Sequence, residues 1–143
     1  MASFRSFKNS FTGIVAEEGD EHYDIRRWAD NASRKAKYVT YPEDSADVAK
    51  AILYAKAEGL DLAVRGGGHS TSGASSSEGG LVVDLSKTIN KVQIDVEKQI
   101  AYVGGGATWE TLDREALKHG LSILSNSPDI VKVKLVTPIF EKA

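Results

Sequence analysis

The sequence predicts an α+β fold in which βαβ and βββα pieces surround one sheet, and three observations predict it. A strand, a helix and a second strand follow one another between Lys37 and Arg65. Two alternating segments then meet across residues 95–98, as in a hairpin. A glycine triplet at 104–106 leads out of that hairpin into apolar residues at helical spacing. At 143 residues, with 41% hydrophobic and 27% charged, the chain has the size and balance of one globular domain with a real core.

In chain order, the N-terminal MASFRSFKNSFTG is mildly basic and Ser-rich, with Phe4, Phe7 and Phe11 at roughly helical spacing. We read residues 1–22 as an arm that packs these rings on the domain; a transit peptide is the other reading. The arm lacks the apolar core of a signal peptide, which favours the cytoplasm over secretion. KYVTY (37–41) is β-branched and aromatic, hence a strand, and Pro42 stops it. The following helix has Ser45 as N-cap and Asp47 in its positive first turn. Val48, Ile52 and Ala55 form its apolar stripe, and Gly59 suits the left-handed position beyond its end. LDLAVR is the second strand, joined to the first by a right-handed crossover. LVVDL (81–85) reads as a buried strand, and KVQID and QIAYV as the hairpin. Trp109, Leu112, Ala116 and Leu117 mark a helix closed by Gly120, and LSIL (121–124) is one more strand. In the tail, Val131, Val133 and Leu135 alternate with Lys132 and Lys134, the pattern of a half-exposed strand.

Composition excludes several functions. A formal charge of −2 provides no electrostatic footprint for nucleic acid and no polybasic membrane surface. No apolar run approaches a membrane span. Without cysteine there is no thiolate metal site, no disulfide and no cysteine nucleophile. Of the three histidines, His22, His69 and His119, the loop residue His69 has no second histidine or carboxylate at metal-ligand spacing, so no metal is expected.

The chemistry concentrates in RGGGHSTSGASSSEGG (65–80), which hangs between two apolar strands at the carboxyl end of one of them, where open α/β sheets collect ligands. Consecutive glycines let a phosphate approach backbone N–H groups without Cβ atoms in the way, and Ser70, Thr71 and Ser72 add hydroxyl donors. On spacing alone two readings stand side by side, a ligand cradle and a passive surface loop. His69 likewise reads either as an ordinary loop histidine or as a neutral imidazole nucleophile. GGGATWETL (104–112) competes for a phosphate because it runs from a strand through glycines into a helix. It has Trp109 where the dinucleotide fingerprint needs a third glycine, and no acidic residue about twenty positions on, so a Rossmann nicotinamide site is not expected. Close packing of helix on strand is the reading we favour for that triplet.

AVRGGGHSTSG, then EGGLVVDLSKTINKVQID, then AYVGGGATWETLD together resemble the FAD-binding domain of the berberine-bridge-enzyme-like FAD-linked oxidoreductases. These belong to the vanillyl-alcohol-oxidase and p-cresol-methylhydroxylase superfamily. The likeness runs from about Tyr23 to Leu124, with the motifs in the family's order. It implies that Arg65, Gly66, Gly67, Gly68, His69, Ser70, Thr71 and Gly73 contact FAD, with Gly66, Gly67, Gly68, Ser70 and Thr71 at its diphosphate. His69 matches the histidine to which many members attach FAD through the flavin 8α-methyl. The implied reaction is hydride transfer from a small organic substrate to flavin, with reoxidation by O₂.

The departures from the family matter as well. A second attachment through cysteine has no counterpart here. Where relatives continue into a glycine-rich stretch after LSIL, this chain reads SNSPDIVKVKLVTPIFEKA. We therefore expect residues 23–125 to be the first, N-terminal subdomain of an incomplete FAD-binding domain and 126–143 a divergent tail. The catalytic base and substrate cavity would lie outside this sequence, leaving the chain inactive alone, with sheet edges free for self-association. The rival expectation is a folded remnant or interaction module that binds no flavin.

Overall fold

The computed structural model describes residues 4–123 together with the strand 132–136, the latter by its backbone. Helix α1 (Phe4–Ser10) and strand β1 (Ile14–Glu17) precede a 3-10 turn at Asp30–Ala32. Then come β2 (Tyr38–Tyr41), α2 (Ser45–Glu58), β3 (Leu62–Arg65), β4 (Leu81–Asp84), β5 (Val92–Asp95), β6 (Ile100–Val103), α3 (Trp109–Leu117), β7 (Ser122–Ile123) and β8 (Lys132–Val136).

The single sheet expected from the sequence is two four-stranded sheets, ordered β1-β2-β4-β3 and β5-β6-β8-β7. Hydrophobic alternation defines strands and their faces, but it carries no information on which strands share a ladder. In the first sheet β2, β4 and β3 are parallel, and β1 is antiparallel to β2. The sequence reading had no strand at β1, whose four residues are too few to declare a period.

The βαβ unit is present, but β4 occupies the slot between β2 and β3. Because β3 and β4 are parallel, the chain must return along the whole sheet between Arg65 and Leu81. Parallel neighbours need a crossover of about a dozen residues or more, usually helical. Here residues 66–80 make that crossover without a helix.

Two cores sandwich the first sheet. On one face Phe7, Phe11 and Tyr38 meet Ala51, Tyr54 and Leu81. The rings of Phe7 and Tyr54 stack at 4.1 Å, and Phe4 stacks on Tyr38 at 4.5 Å. On the other face Val39, Tyr41, Ala63 and Val82 are buried beneath Tyr23 and Ile25. The second sheet buries Ala101, Leu112, Ala116 and Leu121 under α3.

Helix α2 departs from its expected cap and stripe. Asp44, extended at φ −150° and ψ −177°, is the N-cap, and its carboxylate accepts from the Asp47 N–H at 2.9 Å. Ser45 is already inside the helix. The buried face is Asp47, Ala51, Tyr54 and Ala55, while Ile52 is exposed, because the helix turns its aromatic side toward α1. Gly59 ends the helix at φ +64°, and Gly120 follows α3 at φ +67°, as their positions imply. Trp109 and Leu117 are exposed on α3, leaving Leu112 and Ala116 to pack. Strand β7 covers Ser122–Ile123 of LSIL. Leu124 and the alternation of side chains around Val131, Val133 and Leu135 lie outside the described residues. No described helix is long and apolar enough to cross a membrane.

Candidate functional site

The glycine loop starts where β3 and β4 end side by side. Arg65 donates from Nη1 to Asp84 Oδ2 at 2.8 Å, with Asp24 Oδ2 3.8 Å away. Asp84 is fully buried and also accepts from the Ser86 N–H at 2.9 Å and the Ser86 hydroxyl at 2.6 Å. Arg65 is thus anchored beneath the loop, and its Nε is buried with no hydrogen-bond partner among the described residues. Asp24 is held down at about 2, first by the side-chain hydrogen bond from Arg26, against the upward push of burial, with Arg65 adding to the effect. Tyr41 is pushed up to about 12 by burial and by the negative charges of Asp84 and Asp24.

The three loop glycines have different neighbours. A Cβ on Gly66 would lie 2.7 Å from the Gly105 carbonyl oxygen, so the two glycine-rich segments abut there. Gly68 is buried at φ +72°, where a Cβ would sit 3.2 Å from Arg65 Nε and 3.4 Å from Arg27 Cδ. Gly67 is exposed, and only the ring of His69, folded back to 2.7 Å from its would-be Cβ, crowds it. His69 itself is exposed, with the Trp28 ring at a centroid distance of 6.4 Å.

Beyond His69, the Ser70 and Ser72 hydroxyls pair with each other at 3.0 Å, Thr71 is exposed, and Gly73 turns at φ +82° beside Arg34. Arg65, Gly66, Gly68 and His69 therefore gather at the ends of the strands, whereas Ser70, Thr71 and Gly73 continue onto a separate turn. Among the described residues, no backbone N–H from Gly67 to Ser72 donates to a protein acceptor. Six consecutive free donors on an anchored loop can converge on an anion.

The competing triplet has a different use. A Cβ on Gly104 would strike the Ile89 carbonyl and one on Gly106 the Leu85 carbonyl. The Gly106 N–H donates to Ile89 O at 2.9 Å and that of Gly104 to Lys91 O at 2.8 Å. Close packing is thus its role, although the partner is the turn 85–90 rather than a helix.

Sequence reasoning missed Arg27, Trp28 and Asp84. Arg27 is 6% exposed, and its guanidinium donates twice to the Ser75 carbonyl. A buried arginine bonded to distant backbone leaves no pattern in sequence. The one available signal was the Arg-Arg-Trp triplet itself (26–28), well ahead of the predicted strand at 37–41.

A profile of the FAD binding domain matches residues 36–132. The (R)-6-hydroxynicotine oxidase of Paenarthrobacter nicotinovorans is 32% identical over 127 residues, which are 87% of this chain and 28% of that protein. The FAD-linked oxidoreductase hasG of Aspergillus fumigatus is 31% identical over 79% of this chain and 24% of its own length. Among solved structures, 6-hydroxy-D-nicotine oxidase from Arthrobacter nicotinovorans superposes with a TM-score of 0.75 at 32% identity, over 78% of this chain and 25% of that one. The berberine-bridge-enzyme-like protein 1 of Physcomitrella patens, 23% identical, shares the fold with a TM-score of 0.76 over 85% of this chain and 27% of its own. The chain thus spans about a quarter of the length of these relatives, which are FAD-dependent oxidoreductases. On this likeness of fold and sequence, the chain belongs to the FAD binding domain family, and FAD is its cofactor.

Proposed function

We propose that the loop from Arg65 to Gly73 cradles the FAD diphosphate, that His69 is the point of covalent attachment, and that this chain is the N-terminal part of an FAD-linked oxidase acting on a small organic substrate. The single observation carrying the cradle is the row of free N–H groups from Gly67 to Ser72, held open by glycines. The fit is supported further by buried polar atoms without partners around the loop, Arg65 Nε and the hydroxyls of Ser75 and Ser76. A negatively charged group would accept from such donors.

His69 suits attachment because it is exposed, stands beside the cradle and, among the described residues, is joined to no protein partner by a hydrogen bond. Attachment would join one imidazole nitrogen of His69 to the flavin 8α carbon, each losing one hydrogen, with both hydrogens and their electrons passing to O₂ as peroxide. The glucooligosaccharide oxidase of Acremonium strictum, which shares this fold at 21–22% identity, carries a 6-S-cysteinyl, 8α-N1-histidyl FAD. The bound flavin supplies two-electron acceptor chemistry. This chain's residues bind and orient it, and further polypeptide supplies the substrate cavity and the base.

The experiment is direct. The purified chain, loaded with FAD, is run on a denaturing gel. Flavin fluorescence that stays with the polypeptide supports attachment, and His69→Ala should abolish it while reversible FAD binding persists. Free flavin in the supernatant of the denatured protein would reduce the reading to a non-covalent cradle. A chain that stays colourless with added FAD would favour the remnant or interaction module instead.

A further inference from the structure

We propose that Arg27 and Trp28 form a clasp that holds the glycine loop in its ligand-ready shape, with Arg27 as the positioning residue; the inference rests on reading that loop as the FAD cradle.

Both ends of the loop are fastened to these two consecutive residues. The Trp28 N–H donates to Gly68 O at 3.2 Å. Arg27 donates to Ser75 O from Nε at 3.0 Å and from Nη2 at 2.6 Å, and to Arg26 O from Nη1 at 2.8 Å. The Arg27 stem runs under Gly68, since a Cβ there would lie 3.4 Å from Cδ. The Arg27 N–H is itself tied to Ser33 Oγ at 3.2 Å, so the clasp is braced from behind. Residues 68–75 are thereby pinned at both ends, while the donors between them stay free. A cradle ordered before its ligand arrives avoids the entropic cost of ordering on binding.

The charge also has a role. Arg27 is buried, yet among the described residues no carboxylate lies within ion-pair distance of it, whereas Arg65 beside it is paired with Asp84. Burying a cation against neutral carbonyls is costly. An apolar side chain would pack as well without that cost, but would provide neither the fork to Ser75 O nor a positive field beneath the N–H groups. Both features serve an anionic ligand lying above Gly68.

The test uses the full 143-residue chain and measures amide hydrogen exchange without cofactor, then FAD affinity. Arg27→Met keeps the stem and removes the donors. It should speed exchange of the hydrogen-bonded Trp28 and Ser76 N–H groups by about tenfold or more, leaving Val39 and Val82 in the sheet unchanged, and weaken FAD by a similar factor. Arg27→Lys, which keeps the charge and one donor, should recover part of both. Unchanged exchange at Trp28 and Ser76 in Arg27→Met, wild-type FAD affinity in that variant, or acceleration spread equally over β2 and β4 in both variants would overturn the clasp. If the wild-type chain takes up no FAD, the cradle reading fails, and the exchange results still decide the clasp.

Discussion

At Gly68 the backbone sits at φ +72°, a conformation that costs a residue with a Cβ about 1–3 kcal/mol. Gly68→Ala should therefore lose FAD affinity and loop order together, measured by flavin titration and exchange. Gly67 lacks that constraint, and its would-be Cβ meets only the movable His69 ring. Gly67→Ala should leave reversible FAD binding within about threefold of wild type, an effect below 1 kcal/mol, while slowing covalent attachment by displacing His69. The glycines and hydroxyls were legible in the sequence because a missing Cβ or an added hydroxyl acts where it stands. Which glycine matters most was not legible, since that depends on Arg65 and Arg27 approaching from other parts of the chain.

Helix α2 and the connection between α1 and β1 are tied together through Asp47. Its fully buried carboxylate accepts from the N–H groups of Thr12 at 3.0 Å, Gly13 at 2.8 Å and Glu43 at 3.3 Å, and from Lys50 Nζ at 2.9 Å. Burial pushes this group up, but the hydrogen bonds from Thr12, Lys50, Gly13 and Glu43 outweigh it and hold it at about 2. A depressed carboxylate stabilises the fold above its ordinary value of 3.8, and that contribution fades as pH falls from about 4 toward about 2. Asp47→Ala should cost about 3 kcal/mol at neutral pH, seen in urea unfolding, and flatten the acid limb of the stability curve. Asp44→Ala should cost about 1 kcal/mol through the lost cap. PEDS offered several capping residues in a row, and the sequence predicted helix with the wrong cap because only the backbone dihedral of Asp44 distinguishes them.

Over the whole molecule, strand order is the largest difference between expectation and structure. Each strand from β2 to β6 was readable from its pattern, but two sheets and the insertion of β4 between β2 and β3 were not. Strand β3 ends up as an edge of the first sheet, with Leu62 40% and Val64 52% exposed. We expect two copies of the isolated chain to associate along this edge, where among the described residues no strand pairs the outer ladder groups and the apolar side chains are exposed. Val64→Lys should shift the chain toward monomer in analytical ultracentrifugation; an unchanged sedimentation profile would put the contact elsewhere.

By itself, the sequence determined the α and β segments, the glycine loop between two strands, and a family likeness that pointed to FAD. These are local properties, set by periodicity and by where glycine removes a Cβ. Only the tertiary structure decided that residues 66–80 cross the sheet in place of a helix, that the second glycine triplet is used in packing, and that Arg27 lies buried beneath Gly68. The reason is physical. Parallel pairing and burial depend on contacts between residues far apart in the chain, and a buried arginine and an exposed one are spelled alike.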